Sequence, residues 1–295
     1  MTARSPWQLL KDPEIVERVD RLSLGFNSYG IDRFGVSKEH LVYFFSLLKW
    51  FYRSYFRVTV QDIAQVPAKG RAMVVGNHSG GLPVDGGMLL TALLLDHDPP
   101  RLAHGMVEKF ANRWPFVSTW FSRVGQFTGL PEHATALLEA DRVLMVFPEG
   151  ARGTGKLYDQ RYELVDFGTG FMRLALQTGT PIIPLAFVGG EEAIPVKLHL
   201  DALARLVGAP YIPVTSYGLP IPLPVACSIT FGAPMRFEGN GQEADAVIQE
   251  YVQAVKDEVV RLIDLGRKAR RRRLGRLAPF GAVTEGDVPG EGVEP

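Results

Sequence analysis

Four short runs in this chain are almost wholly apolar: Ala72–Gly76 ("AMVVG"), 143–147 ("VLMVF"), Ile182–Val188 ("IIPLAFV") and 226–231 ("ACSITF"). Strands that are hydrophobic at nearly every position are buried on both faces, so the sheet they form must be covered on each side. The segments between them read as helices. Pro83 occupies the first turn of a helix reaching about Leu95, Pro131 opens another over about 132–140, and residues 168–178 fit a third that Gly179 closes. Ala244, Val247, Ile248, Tyr251, Val255, Val259 and Leu262 recur at helical spacing, so 243–265 should lay one face on the domain. The fold class expected is α/β, a mixed sheet flanked by helices.

Residues 36–58, "VSKEHLVYFFSLLKWFYRSYFRV", are rich in aromatics and leucine and are broken by Lys49, Arg53 and Arg57. The apolar stretch is too short for the roughly 20 residues that cross a bilayer. It reads either as a helix lying in a membrane interface, with Phe44, Leu48 and Phe51 toward lipid, or as a core helix packed on the sheet. The first residues mix acids, bases and proline without the apolar core of a secretory signal, which predicts a chain kept in the cytoplasm.

Lys plus Arg and Asp plus Glu number 32 each, so the whole chain offers no electrostatic case for nucleic acid. Positive charge is local, in the run "RKARRRRLGR" at 267–276, which can meet an anionic leaflet or stay a solvated tail. From about Pro279 the sequence turns to Gly, Pro and acids, too little apolar material to fold. The single cysteine, Cys227, permits no intrachain disulfide and reads as a small buried hydrophobe. His40, His97, His104, His133 and His199 lack ligand spacing, so neither a metal nor a bound cofactor is expected.

Three blocks carry chemistry. In "VVGNHSGGLPVDGGML" a strand delivers Asn77 and His78 into a glycine-rich turn ahead of a helix, where ligands of α/β sheets usually bind. A turn at Gly80 and Gly81 can fold the Asp85 carboxylate onto the imidazole, leaving the other ring nitrogen free to take a proton. A structural histidine fits the same spacing. In "RVLMVFPEGARGTGK" a second strand ends in a turn bearing Glu149 and Arg152, with Arg152 and Lys156 placed to meet an anion, or to remain a solvated surface charge. The third block, "TGTPIIPLAFVGGEE", is a helix stop and an apolar strand ending at Gly189 and Gly190.

In this order and at these separations the blocks resemble the 1-acylglycerol-3-phosphate acyltransferases, the lysophospholipid acyltransferases of phospholipid synthesis, over about residues 58–231. The family's N-H-x-x-x-x-D block matches Asn77, His78 and, with a shift, Asp85. Its F-P-E-G-x-R block matches Phe147, Pro148, Glu149, Gly150 and Arg152, and its P-I-I-P block matches 181–184 and so brings in Pro184. The resemblance implies that His78 and Asp85 are catalytic and that Asn77, Lys109, Phe147, Pro148, Glu149, Gly150, Arg152 and Pro184 bind substrate. It implies a fatty acyl group moved from acyl-CoA or acyl-ACP to a glycerolipid hydroxyl; with residues 36–58 and the basic run, the place expected for it is the cytoplasmic face of a membrane with anionic lipids.

Two departures bear on the acceptor. Six residues, "SGGLPV", separate His78 from Asp85 where the family has four, and the stretch "GQFTGLPEH" lacks the arginine of the family's G-x-x-F-x-x-R block. Lys109 is the expected replacement charge; without it the acceptor would be a mono- or diacylglycerol or a long-chain alcohol. Other classes fit less well. A hydrolase would need Ser79 as nucleophile, a nucleotide binder would need a hydroxyl where Leu157 follows Lys156, and a lipid-binding protein without catalysis would keep the motifs idle. The expected organisation is an N-terminal helical membrane-facing segment over 1–57, the acyltransferase domain over 58–265, and a basic then disordered tail over 266–295.

Overall fold

The computed structural model describes residues 11–107, 115–200, 204, 211–219 and 221–277. Among them, strands β1 (Thr59–Gln61), β2 (Ala72–Gly76), β3 (Ala103–Val107), β4 (Phe127–Thr128), β5 (Val143–Val146), β6 (Ile182–Val188) and β9 (Ser228–Phe231) form one sheet in the order β1-β9-β6-β2-β5-β3-β4. Only the β6–β9 pair is antiparallel; every other neighbour is parallel. A separate antiparallel ribbon joins β7 (Val196–His199) to β8 (Pro213–Thr215).

Alternation along β2 sorts the core into two layers. Ala72 and Val74 face one apolar cluster, Met73 and Val75 the other. The first layer is covered by α1 (Pro13–Asp20), α2 (Lys38–Trp50) and α3 (Val84–Leu95). The second is covered by α5 (Pro131–Glu139), α7 (Gly170–Thr178) and α9 (Asp245–Leu277). Short helices α4 (Pro115–Arg123), α6 (Ala151–Thr154) and α8 (Gly190–Ala193) occupy the connections.

The aromatic segment packs largely as a core helix. Leu41, Val42 and Phe45 of α2 are buried, and Phe44, Leu48 and Phe51 lie partly buried against the same cluster rather than bare to lipid. Its bases are internal partners: Lys49 sits 2.7 Å from both Asp12 and Glu14, and Arg53 2.8 Å from Asp96. Asp12 also caps α1 through the amides of Glu14 and Ile15, which is why the charge-mixed N-terminal stretch is helical. What α2 leaves in the open is Leu47 and Trp50.

The last helix does not stop at Leu265. Gly266 stays inside it because the helix touches the sheet there: a Cβ on Gly266 would lie 3.0 Å from Val188 Cγ2. The helix interior accepts glycine's cost of about 1 kcal/mol in exchange for that close approach. The basic run then continues as helix to Leu277, through residues of good helix propensity. Its charge is partly spent on the domain, since Arg270 donates to the Ala226 carbonyl at 2.9 Å and to Glu192 at 2.8 Å, and Arg267 lies over the Tyr162 ring. The tail expected to be disordered from Pro279 lies outside the described residues, as does Lys109.

Candidate active site

Parallel pairing explains why motifs seventy residues apart meet. Val75 is in register with Val146, and Gly76 with Leu185, so β2, β5 and β6 end side by side and their following loops converge. Asn77 locks two of them. Its side-chain amide donates to the Phe187 carbonyl at 2.9 Å and its oxygen accepts from the Phe187 amide at 2.8 Å, extending the β2–β6 ladder by one rung. With no exposed surface, Asn77 holds the fold of the site rather than touching substrate.

His78 follows. Its Nδ1 lies 2.7 Å from Asp85 Oδ2, so two extra residues in the loop do not prevent the pairing. The loop bulges instead, with Gly80 and Gly81 both at positive φ (79° and 53°). At Gly80 a side chain is impossible, because a Cβ would sit 2.3 Å from the Gly190 carbonyl oxygen. Asp85 is buried in the first turn of α3 and also accepts from the amides of Ser79 at 2.8 Å and Gly86 at 2.7 Å. As an acceptor the Asp85 side chain takes Nδ1–H and leaves Nε2 with its lone pair. Phe147 stacks on the imidazole at 4.3 Å with the planes 7° apart, fixing the ring from one side.

The second block sits beneath the first. Glu149 is buried, and one of its oxygens accepts the His78 amide at 2.8 Å; the other accepts Lys156 Nζ at 3.1 Å and the Val165 amide at 3.0 Å. Lys156 also donates to the Glu163 carbonyl at 2.8 Å. Glu149 and Lys156 are therefore internal supports of the histidine loop, not the substrate and anion contacts that the sequence pointed to. Gly150 makes the turn between β5 and α6, at φ 58° and ψ −151°, a conformation in effect reserved for glycine. Pro148 accepts from the Gly168 amide at 3.0 Å. Arg152 is exposed and donates through one guanidinium nitrogen to the Asp166 carbonyl at 3.0 Å.

Pro184 is not brought to the site. It shares a sheet face with Val75, under α9, where it sits at an irregularity between the Ile182↔Met235 bridge and the Leu185↔Phe231 pair. A residue with no N–H is tolerated at such a break in pairing. The third block acts instead through Gly190, where a Cβ would lie 2.3 Å from Ser79 Oγ. Sequence reasoning singled out this glycine pair without seeing that contact, which needs the loops' relative placement.

The same geometry weighs on the rival classes. Ser79 Oγ is buried against Gly190 and has no hydrogen-bond partner among the described residues, so it does not form the His–Ser pair a hydrolase needs. Lys156, the lysine of a would-be phosphate loop, is 4% exposed and bound to Glu149. Among the described residues no group of His, Cys, Asp and Glu is arranged to hold a metal ion.

Comparison with known proteins agrees with this architecture. The Acyltransferase family profile matches residues 57–188, a span that holds His78, Asp85 and the block from Phe147 to Arg152. An uncharacterized protein of Mycobacterium tuberculosis is 36% identical over 216 residues, covering 70% of this chain and 60% of the relative. An uncharacterized protein of Mycobacterium leprae is 38% identical over 216 residues, covering 70% of this chain and 59% of the relative. The chain thus spans about 60% of the length of the curated relatives it matches. The crystal structure of the 1-acyl-sn-glycerophosphate acyltransferase PlsC from Thermotoga maritima superposes with a TM-score of 0.50 at 17% identity, covering 83% of this chain and 84% of that one. With the fold shared and the motifs lodged at the ends of its central strands, residues 57–188 of the chain form an acyltransferase-family domain.

Proposed function

We propose that this protein transfers a fatty acyl group from an acyl thioester, acyl-CoA or acyl-ACP, to a free hydroxyl of a glycerolipid, with a lysophospholipid as acceptor and no bound cofactor. The observation that carries the reading is the 2.7 Å contact between His78 Nδ1 and Asp85, made on a ring already fixed by Phe147. Nε2 takes the acceptor hydroxyl's proton as the oxygen attacks the thioester carbonyl. The tetrahedral intermediate collapses to the new ester, and the departing thiolate takes the proton from the imidazolium that Asp85 stabilises. Arg152 is the residue offered to an acceptor phosphate, since its planar fork can bond two oxygens.

The work would be done at a membrane surface, on the cytoplasmic face. Among the described residues no helix is long and apolar enough to cross a membrane, so attachment would be peripheral or monotopic. One observation favours a second acceptor class: Lys156 is paired with Glu149 and the arginine of the family's G-x-x-F-x-x-R block is absent, which reduces the charge available to a phosphate. A mono- or diacylglycerol suits that reduced charge. An acceptor screen read by mass spectrometry tests both, with labelled acyl-CoA or acyl-ACP supplied beside lysophosphatidate, other lysophospholipids, monoacylglycerol and diacylglycerol. Labelled phospholipid is the expected product; labelled neutral lipid alone selects the second reading, and no labelled lipid from a folded protein refutes both.

A further inference from the structure

Beyond β8 the chain reads "SYGLPIPLPVA", and the apolar residues that alternate with prolines there face solvent. Leu219 is 61% exposed, Ile221 58%, Leu223 38% and Tyr217 40%. An exposed apolar loop is usually disfavoured twice, by its side chains and by backbone groups that need water. Here five of the loop's carbonyls do not need it. The Leu219 carbonyl accepts Thr215 Oγ1 at 2.7 Å, that of Ile221 accepts the Tyr217 hydroxyl, that of Pro222 accepts the Tyr55 hydroxyl at 2.6 Å, that of Leu223 accepts the Val225 amide at 2.8 Å, and that of Pro224 accepts Arg57 at 2.9 Å. Pro220, Pro222 and Pro224 have no amide proton to satisfy.

We infer that this proline-spaced loop is a lipid-insertion element, which seats the catalytic domain on a bilayer with Leu219 and Ile221 in the hydrocarbon boundary. A segment with apolar side chains and these carbonyls internally satisfied presents few backbone groups to a medium that offers no hydrogen bonds, and so suits the shallow hydrocarbon boundary. A protein partner adding a strand would need a row of free backbone groups, of which the prolines and the five occupied carbonyls leave few. The surface continues in both directions. Tyr55, which holds Pro222, lies 5.4 Å from the exposed Trp50 ring, an amphipathic residue suited to the headgroup level. On the other side, exposed Lys197 and the 49%-exposed Leu198 pair a base with an apolar side chain on β7.

The loop also borders a cleft of about 640 Å³, lined by Leu223 and Pro195 together with the charged Asp159, Arg161, Glu192 and Lys197. The insertion does not rest on the lipid-acceptor reading above.

The test uses the full chain with vesicles of phosphatidylcholine alone and of phosphatidylcholine mixed with phosphatidylglycerol. The double variant Leu219→Ser/Ile221→Ser should float with neutral vesicles at least about tenfold less than wild type, because two buried aliphatic side chains exceed that ratio. Tyr29→Ser, an exposed aromatic placed elsewhere, should float as wild type does. As a second measurement, Ile221→Cys carrying an environment-sensitive fluorophore should shift to the blue on vesicle binding; labelling is selective because Cys227 is 1% exposed. Equal flotation of the double variant and wild type, or a label at 221 that stays in water, overturns the insertion. So does a concentration-dependent dimer that the double variant abolishes, since the loop would then cover a second copy. Acyl transfer between short-chain, water-soluble substrates should persist in the double variant. Its absence from wild type as well would defeat the enzymatic reading while leaving the flotation result to decide this one.

Discussion

Glu149 holds His78 by its backbone: a carboxylate oxygen accepts the His78 amide at 2.8 Å while the companion oxygen is fixed by Lys156 and the Val165 amide. The acid of the FPEG block thus sets where the imidazole begins, and Asp85 sets how the ring is turned. Two motifs that look in sequence like separate substrate contacts are one mechanical unit, joined because β2 and β5 are parallel neighbours.

That unit can be taken apart by a double-mutant cycle. Glu149→Gln leaves Lys156 buried without its anion, and Lys156→Met leaves Glu149 buried without its cation; each should cost about 3–5 kcal/mol of stability. The double variant should lose much less than the sum, because no uncompensated charge remains. Activity lost through a displaced His78 should appear in kcat with KM little changed. A large KM effect with unchanged unfolding midpoints would return Glu149 to the role of a substrate contact.

Asp85→Asn should preserve the fold and lower turnover by about 10⁴-fold, since an amide can hold the ring in the wrong tautomer. His78→Ala should lose at least as much, and the His78→Ala/Asp85→Asn double variant should be no worse than His78→Ala alone. Single-turnover assays on purified, folded variants measure this. Additive losses would mean that Asp85 serves something other than the imidazole.

The sequence made the central strands and the His–Asp pair legible, because continuous apolar runs and a Pro-started helix are local signals. Ala72–Gly76 and Ile182–Val188 appear as read, and α3 begins one residue after Pro83. What it hid depends on contacts between distant segments. Asn77 and Glu149 carry polar side chains beside His78, so they look like substrate ligands until the Phe187 backbone and the His78 amide that occupy them are located. Gly266 looks like a helix stop until Val188 is found against it. Strand β3 was masked by His104 and Gly105, yet both are dictated by a neighbour: a Cβ on Gly105 would meet Gln126 Oε1 at 2.5 Å, and His104 bonds the Gly125 carbonyl at 2.9 Å.

Arg152 separates the two acceptor classes. If its exposed guanidinium receives a phosphate, Arg152→Lys should lower kcat/KM on lysophosphatidate by about tenfold or more and leave monoacylglycerol acylation nearly unchanged, because an ammonium cannot replace a bidentate bond. The bond to the Asp166 carbonyl offers the contrary explanation, a loop tether. Equal losses on both acceptors, accompanied by a lower melting temperature, would establish the tether.

The pH dependence of stability should carry two opposed signatures. Burial pushes the Glu191 carboxyl up to about 7 from an ordinary 4.5, against the pull of nearby Lys156, and one of its oxygens has no partner among the described residues. Burial likewise pushes His104 down to about 4 from 6.5, with the Gly125 carbonyl opposing and Arg142 and Arg101 adding to the depression. The unfolded chain ionises Glu191 first, so its contribution to stability is present at low pH and is lost as pH rises from 4.5 through about 7. His104 works the other way, its contribution being complete above 6.5 and lost as pH falls through about 4. Where the windows overlap, the folded state holds one more proton at Glu191 and one fewer at His104, so the slopes cancel. Glu191→Gln, which keeps an oxygen for the Tyr162 amide, removes one side of that balance. Relative to wild type its stability should climb between pH 4.5 and about 7, by up to about 3 kcal/mol, and stay level above. Urea midpoints taken across this range decide the matter. A stability difference that does not vary with pH would mean that Glu191 ionises like an exposed glutamate and that water reaches the floor of the histidine loop.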